Sequence, residues 1–142
     1  GAFISIWQPQ MHQGAEVVND PNSFSWSELY TRDMPAAQEF YRKVFNWETE
    51  EAPAEFGAYT IFRADGRSIA GGLDMTQMLP DSVPPHWLVY FTVEDAAAAA
   101  EKIKELGGTV VDGPHPTPMG PIVIAKDPVG ALFALVQFTN ES

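Results

Sequence analysis

A chain of 142 residues, 45% of them hydrophobic and 12% aromatic, is long enough to fold as one domain around its own core. Its net charge of −11, with eight scattered Lys and Arg residues, excludes the basic surface that binds nucleic acid. The absence of cysteine excludes disulfides and thiolate metal sites, and no apolar run reaches the roughly 20 residues of a membrane helix.

The first ten residues, GAFISIWQPQ, nearly repeat the strand candidate GALFALVQF close to the other end of the chain. When the two stretches are aligned, Gln8 meets Gln137, and Ser5 is the one polar residue inside the N-terminal copy. An unpaired apolar strand is prone to aggregate. We therefore expect residues 2–8 to pair as an extra strand, on this domain's own sheet edge or on that of a neighbouring chain.

The next elements are a strand, a helix and a hairpin. The stretch FSWSELYTRD, residues 24–33, alternates with a period of two and predicts a strand, after which Asp33 caps the helix MPAAQEFYRKVF. AYTIFR and SIAGGLDM, joined by the turn ADGR, predict a hairpin. The apolar residues of the helix recur at helical spacing and predict its buried face: Ala37, Phe40, Tyr41, Val44 and Phe45.

After a proline-rich linker at residues 78–85, the same plan starts again. HWLVYFTVED predicts a strand, and Asp95 at its end caps the helix AAAAAEKIKELGG, which Gly107 terminates. TVVDGP, GPIVIA and ALFALVQF are the strand candidates that follow. Each half of the chain therefore contains a strand, a helix and then three short strands.

The repeat predicts the fold class. The halves align on Asp33 and Asp95, which indicates an internal duplication of a βαβββ unit. One unit alone would expose a half-sheet, so the two units should pair. The expected fold is α+β, an open, curved mixed sheet around a cleft, with the helices on the outside. We predict an N-terminal strand and linker at residues 1–21, followed by one module at residues 22–142. The two units of this module are residues 22–77 and 84–138.

These elements resemble the vicinal oxygen chelate family, also called the glyoxalase, bleomycin resistance and dioxygenase superfamily. The resemblance covers roughly residues 22–138 and rests on WSELYTRD, AAQEFYRKVFNW, GGLDM, PPHWLVYFTVEDAAAAAEKIKELGGTVV and DPVGALFALVQ. WxELxTRD followed by FYxxVFxW is similar to members that carry two such modules in tandem. The N-terminal stretch then resembles the junction that follows a preceding module.

The resemblance implies that an enzyme of the family would hold a divalent metal through His, Gln or Glu side chains that point into the cleft. Three aligned ligand positions carry Trp26, Leu88 and Ala134, which offer a metal no suitable atom. In the N-terminal copy of the closing strand, the position of Ala134 is occupied by Ser5, which is a poor ligand. A further ligand position near residues 71–75 cannot be aligned. We therefore expect no metal and no other cofactor, with a divalent metal as the alternative.

Two ionisable residues share the strand parity of Trp26 and Leu88 and should face the cleft: Glu28 and His86. Glu28 is a candidate metal ligand, general base or hydrogen-bond acceptor, because a charged carboxylate is costly to bury without a partner. The structural alternative is an acid hydrogen-bonded to its strand or paired with an arginine. His86 is a candidate proton shuttle or metal ligand, or else a solvated or structurally bonded histidine.

A set of mainly apolar side chains with the same parity is expected to line the cleft and bind a ligand, although ordinary core packing would also explain them. The set comprises Trp26, Tyr30, Leu88, Tyr90, Leu132, Ala134 and Val136. Residues of the opposite parity, Leu29, Phe133 and Leu135, should pack under the helices.

The leading hypothesis is a metal-independent protein of this family that binds a small, largely apolar organic ligand in the cleft. The alternative is a metal-dependent lyase, isomerase or dioxygenase, such as a glyoxalase I-like lyase, with a rearranged site that uses Glu28 and His86. A third hypothesis is a module that mainly pairs with a sister module. The expected partners are a small molecule and a homodimer mate or sister module, with no nucleic acid and no membrane. No signal peptide pattern is visible, so a cytoplasmic location is expected.

Overall fold

A computed structural model describes residues 1–54 and 57–139. In chain order, its elements are β1 (Phe24–Thr31), α1 (Met34–Phe45), β2 (Glu48–Ala54), β3 (Gly57–Ala64), β4 (Arg67–Asp74), β5 (His86–Thr92), α2 (Ala96–Glu105), β6 (Thr109–His115), β7 (Ile122–Lys126) and β8 (Leu132–Val136). The strands form one mixed, open sheet in the order β2-β3-β4-β1-β5-β8-β7-β6. The predicted α+β class is confirmed. None of the helices in these ranges is long and apolar enough to cross a membrane.

The chain forms two compact units. The first unit contains residues 1–7 and 26–88, and the second contains residues 8–25 and the chain from Val89 onward. In the first unit, β1 pairs with β4 in parallel, and β2, β3 and β4 pair antiparallel. In the second, β5 pairs with β8 in parallel, and β6, β7 and β8 pair antiparallel. The matching patterns confirm that the strand–helix–three-strand order occurs twice.

Both helices begin at the predicted aspartates. The Asp33 carboxylate accepts a hydrogen bond from the Ala36 amide at 3.0 Å, and the Asp95 carboxylate accepts one from the Ala98 amide at 2.9 Å. These bonds satisfy amides that have no carbonyl partner inside the first turn of the helix. At the end of α2, Gly107 has a φ of 86°, a left-handed conformation that a glycine adopts without strain.

The α1 helix buries a narrower face than the sequence predicted. Tyr41 is buried against Phe62 of β3, but Phe40 and Val44 are 50% and 46% exposed. The predicted burial of these two residues is wrong, because the stripe that faces the sheet runs through Met34, Ala37, Tyr41 and Phe45, which are three to four residues apart.

In each unit, the strand residues with the opposite parity pack under the helix, as predicted. In the first, Leu29 belongs to a core cluster with Met34 and Tyr41 of α1. In the second, Leu135 is buried with Ala96 and Ala100 of α2, and Phe133 packs against the same cluster.

The N-terminal segment forms no strand of this chain's sheet, because residues 1–23 lie outside every sheet ladder. Ala2 packs against the core of the first unit, but Phe3 is 97% and Ile6 is 76% exposed. The expected pairing of residues 2–8 with the domain's own sheet edge is therefore not seen. Pairing with another chain stays a prediction.

The two strands at the ends of the sheet order are poor templates for further pairing. The β2 strand exposes three glutamates, Glu48, Glu50 and Glu51, and the second of these forms an ion pair with Arg63 at 2.8 Å. The pairing of β6 with β7 shifts register twice, between Val110 and Asp112 and again before His115. Charges and irregularities of this kind discourage edge-to-edge association.

Candidate functional site

A buried carboxylate in the middle of β1 is the centre of the candidate site. Glu28 is only 6% exposed. The Tyr30 hydroxyl donates to its Oε1 at 2.8 Å, and the Tyr59 hydroxyl donates to its Oε2 at 2.8 Å. Hydrogen bonds to a carboxylate offset the cost of removing it from water. Two tyrosine hydroxyls therefore contact Glu28. The structural alternative considered from the sequence was a hydrogen bond to the strand or an ion pair with an arginine.

Tyr59 of β3 joins this carboxylate to an indole. Its hydroxyl donates to Glu28 and accepts a hydrogen bond from Trp26 Nε1 at 2.9 Å. Burial and the neighbouring Glu28 carboxylate raise the pKa of the Tyr59 hydroxyl well above its usual value. Tyr59 thus keeps its proton and acts as a fixed donor towards Glu28.

A glycine makes room for the Tyr59 hydroxyl. Gly71 of β4 pairs with Glu28 in the parallel ladder. A Cβ atom at this position would overlap the Tyr59 hydroxyl oxygen and would lie 3.0 Å from Trp26 Nε1. Both groups therefore cross the sheet over a residue without a side chain.

Sequence reasoning did not select Tyr59 or Gly71 for the site. The usable signal was the glycine pair at residues 71–72 inside a predicted strand, because glycine in a strand interior often marks a close approach of another group. The same pair is also consistent with a bend in the strand, so the pattern alone does not identify Tyr59 as the group that approaches.

His86 also contacts Tyr30. It is half-buried at the start of β5, and its ring stacks on the Tyr30 ring with a centroid distance of 5.2 Å and an interplanar angle of 3°. Its Nδ1 is 2.9 Å from the Pro84 carbonyl oxygen. Because a carbonyl only accepts, Nδ1 carries the hydrogen in this contact, and a neutral His86 then has Nε2 as its acceptor. The structure thus places both predicted ionisable residues, Glu28 and His86, against Tyr30.

We call this group of five residues the Glu28 cluster: Trp26, Glu28, Tyr30, Tyr59 and His86. All of them belong to the first unit. Trp26, Tyr59 and His86 are half-buried, and Glu28 and Tyr30 are buried. The cluster therefore combines a carboxylate with aromatic rings that are in part accessible.

The other residues predicted to line a ligand site lie in different surroundings. Leu88, at the end of the first unit, is 1% exposed. In the second unit, Tyr90 pairs with Ala134 in the parallel ladder, and both are buried, as is Val136. Leu132 is 38% exposed. The burial of these residues is consistent with packing in the core and also with the lining of a closed ligand pocket.

The residues present do not fit a metal centre of the family type. Across residues 1–54 and 57–139, no three His, Cys, Asp or Glu side chains are grouped so that they could hold a metal ion. Leu88 and Ala134 offer no ligand atom, and both oxygens of Glu28 accept tyrosine hydroxyls. We therefore derive no chemistry from such a centre.

Comparison with known sequences relates most of the chain to one family. The sequence profile described as the Glyoxalase/Bleomycin resistance protein/Dioxygenase superfamily matches residues 23–135. A Mycobacterium tuberculosis protein with the provisional name glyoxylase CFP32 is 32% identical over 139 residues, which are 96% of this chain and 52% of that protein. The anthracycline biosynthesis protein DauV of Streptomyces sp. (strain C5) is 34% identical over 141 residues, which are 96% of this chain and 49% of that protein. The chain therefore spans about half the length of these relatives.

Solved structures show the same fold. A methylmalonyl-CoA epimerase variant from Streptomyces coelicolor superimposes with a TM-score of 0.59 at 20% identity, over 85% of this chain and 97% of that chain. The epimerase from Mycobacterium tuberculosis gives a TM-score of 0.57 at 18% identity, over 83% and 89% of the two chains. At these identities the likeness concerns the fold alone.

Proposed function

Because the chain belongs to the Glyoxalase/Bleomycin resistance protein/Dioxygenase superfamily, we propose that it binds a small, largely apolar organic molecule at the Glu28 cluster, without a family-type metal. The observation that carries the proposal is the Glu28 carboxylate, held by the hydroxyls of Tyr30 and Tyr59 among aromatic rings. Small-molecule sites are mostly apolar and contain a few fixed polar groups of this kind.

The orientation of the polar groups favours a particular kind of ligand. A carboxylate has about four lone-pair sites, so a ligand N–H or O–H can add a hydrogen bond to those that the tyrosines donate. The half-buried rings of Trp26 and His86 supply flat surface for the apolar part of the ligand. The net charge of −11 disfavours anions. A neutral or cationic aromatic compound with a hydrogen-bond donor fits these properties best.

A binding assay with a matched pair of variants tests the proposal. An anthracycline is the first probe, since two relatives are named for anthracycline biosynthesis, and a panel of neutral aromatic compounds with donor groups follows. We expect at least one compound to raise the melting temperature and to bind by calorimetry. Glu28→Gln should weaken that binding about tenfold, because a charge-assisted hydrogen bond is lost.

The control for this assay is Glu48→Gln, which makes the same change at an exposed position of β2. It should bind the compound as the unmodified protein does. Equal affinities of the unmodified protein and Glu28→Gln would contradict the role of the carboxylate. A complete panel without one stabilising compound would contradict the proposal itself.

The second candidate is a metal-dependent lyase, isomerase or dioxygenase, such as a glyoxalase I-like lyase. The observation that favours it is that Glu28 and His86 both lie against Tyr30. Elemental analysis of protein purified without chelator tests it. About one equivalent of Zn, Ni, Mn or Fe that is lost in His86→Ala would support it, whereas less than about a tenth of an equivalent would exclude it.

A further inference from the structure

Arg32, which directly follows β1, binds the main chain of the linker that leads to β5. Its Nη2 donates to the Pro80 carbonyl at 2.7 Å and to the Val83 carbonyl at 3.0 Å. Its Nη1 lies 3.8 Å from the exposed carboxylate of Asp81, and an exposed ion pair of this kind contributes little to stability. The carbonyl contacts, rather than the ion pair, therefore hold the linker at the end of β1.

The part of the linker that Arg32 binds has little conformational freedom. The Val83 amide donates to the Pro80 carbonyl at 2.9 Å, so Arg32 contacts both ends of a turn that is closed by its own hydrogen bond. Pro84 and Pro85 follow directly, and a proline fixes its own φ and restricts the residue before it. The position of the turn therefore largely determines where the Pro84 carbonyl lies.

The Pro84 carbonyl selects the tautomer of His86. It lies 2.9 Å from Nδ1 and can only accept, so Nδ1 carries the hydrogen. A neutral imidazole has one N–H and one acceptor nitrogen, and the hydrogen bond made by one nitrogen sets the role of the other. Stacking on Tyr30 fixes the plane of the ring but does not distinguish its two nitrogens. The tautomer of His86 therefore depends on the position of the linker.

We propose that Arg32 is a positioning residue of the Glu28 cluster, which lies in the same unit. Through the turn at residues 80–83, Arg32 holds the Pro84 carbonyl against His86 and so keeps Nε2 of His86 as a hydrogen-bond acceptor. The consequence for binding rests on the proposed function: a ligand N–H or O–H can then bond to His86 as well as to the Glu28 carboxylate. Without Arg32, the linker would move and the imidazole hydrogen would be shared between Nδ1 and Nε2.

Nitrogen NMR of the imidazole rings in the unliganded protein tests the proposal. Spectra are recorded at about pH 9, where histidine rings are ordinarily neutral. The signals of His86 are those that are missing from the spectrum of His86→Gln. We expect Nδ1 of His86 to have the chemical shift of an N–H nitrogen and Nε2 that of an acceptor nitrogen. The opposite assignment in the unmodified protein would overturn the proposal.

Arg32→Met removes the donors and keeps a long side chain. It should move the two nitrogen shifts of His86 towards each other, because both tautomers are then populated, while the backbone amide spectrum of β1 and β5 is retained. Arg42→Met is the matched control, since Arg42 is an exposed arginine of α1 that bonds to Glu39. Asp81→Asn removes the ion pair alone. Both controls should leave the His86 shifts unchanged.

Pro84→Gly tests the same connection with Arg32 in place, because it keeps the carbonyl and removes the stiffness between the turn and His86. It should move the His86 shifts in the same direction as Arg32→Met. Unchanged shifts in either folded variant would overturn the proposal, and so would changes of equal size in the two controls. These spectra need no ligand, so their failure would leave the proposed function intact, whereas a compound panel without binding would leave the role of Arg32 intact.

Discussion

At the scale of single residues, the Glu28 cluster depends as much on a missing atom as on the groups that are present. The Tyr59 hydroxyl reaches Glu28 because Gly71 has no Cβ, and the same gap admits the Trp26 indole. Without Tyr59, the Glu28 carboxylate and the Trp26 N–H would each lose a hydrogen-bond partner. The position of one backbone residue thus determines how a buried charge is satisfied.

We expect Gly71→Ala to lower the free energy of unfolding by about 1–3 kcal/mol, the usual cost of an added carbon in a filled space. Urea denaturation measures this cost. In a Tyr59→Ala background the same change should cost much less or even stabilise, because alanine loses less backbone entropy than glycine on folding. Equal costs in the two backgrounds would show that the Tyr59 hydroxyl is not what Gly71 accommodates.

The raised pKa of Tyr59 makes stability depend on pH in the alkaline range. An unfolded tyrosine ionises near pH 10, whereas the buried Tyr59 hydroxyl keeps its proton. Its contribution to stability is therefore complete below pH 10 and is lost as the pH rises through the folded-state pKa. Urea denaturation between pH 8 and pH 11 should show a steeper decline for the unmodified protein than for Tyr59→Phe. Parallel curves would contradict the assignment.

Strand parity predicted a large part of this cluster. Alternation along β1 indicated that Trp26, Glu28 and Tyr30 share a face, and the structure joins all three through hydrogen bonds that include Tyr59. Tyr59 itself could not be predicted, because its contact depends on how β3 and β4 pair and on the missing side chain of Gly71. Periodicity describes a strand by itself and carries no information about register with a distant strand.

At the scale of elements, local signals predicted the helix boundaries and tertiary packing decided the faces. Asp33 and Asp95 begin the two helices, as the sequence indicated, because an N-cap acts only on the amides of the next turn. Phe40 and Val44 carry apolar side chains at helical spacing and are nevertheless half-exposed. The width of the buried stripe depends on the sheet below the helix, which periodicity does not reveal.

Removal of either cap should destabilise the unit that contains it. Asp33→Ala and Asp95→Ala should each lower the free energy of unfolding by about 1 kcal/mol, because an amide of the first turn loses its acceptor. Asp33→Asn and Asp95→Asn should restore most of that loss, since asparagine also caps helices. Urea denaturation measures all four variants. An alanine variant as stable as its asparagine counterpart would show that the cap does not contribute.

At the scale of the whole molecule, the duplication could be predicted from the sequence, because each half repeats the same order of elements. The N-terminal copy of the closing strand was also visible in the sequence, but its partner was not. Phe3 and Ile6 are largely exposed, and the chain spans about half the length of its relatives CFP32 and DauV. We propose that residues 2–8 pair with a second copy of the chain or with a sister module.

This pairing predicts association that depends on concentration. Sedimentation velocity should detect dimers of the chain, and Phe3→Ser with Ile6→Ser should shift them towards monomers, because less apolar surface is buried on association. Phe40→Ser with Val44→Ser is the matched control, since it removes two other half-exposed apolar side chains from α1. Monomers at all concentrations would rule out self-association through this segment, and equal effects of the two pairs would rule out a specific role for it.

The acidic outer strand sets a limit on how such molecules can assemble. Glu48, Glu50 and Glu51 stand exposed along β2, so two copies that approached each other along this strand would bring like charges together. We therefore expect these charges to disfavour the joining of two sheets into a fibril through this edge.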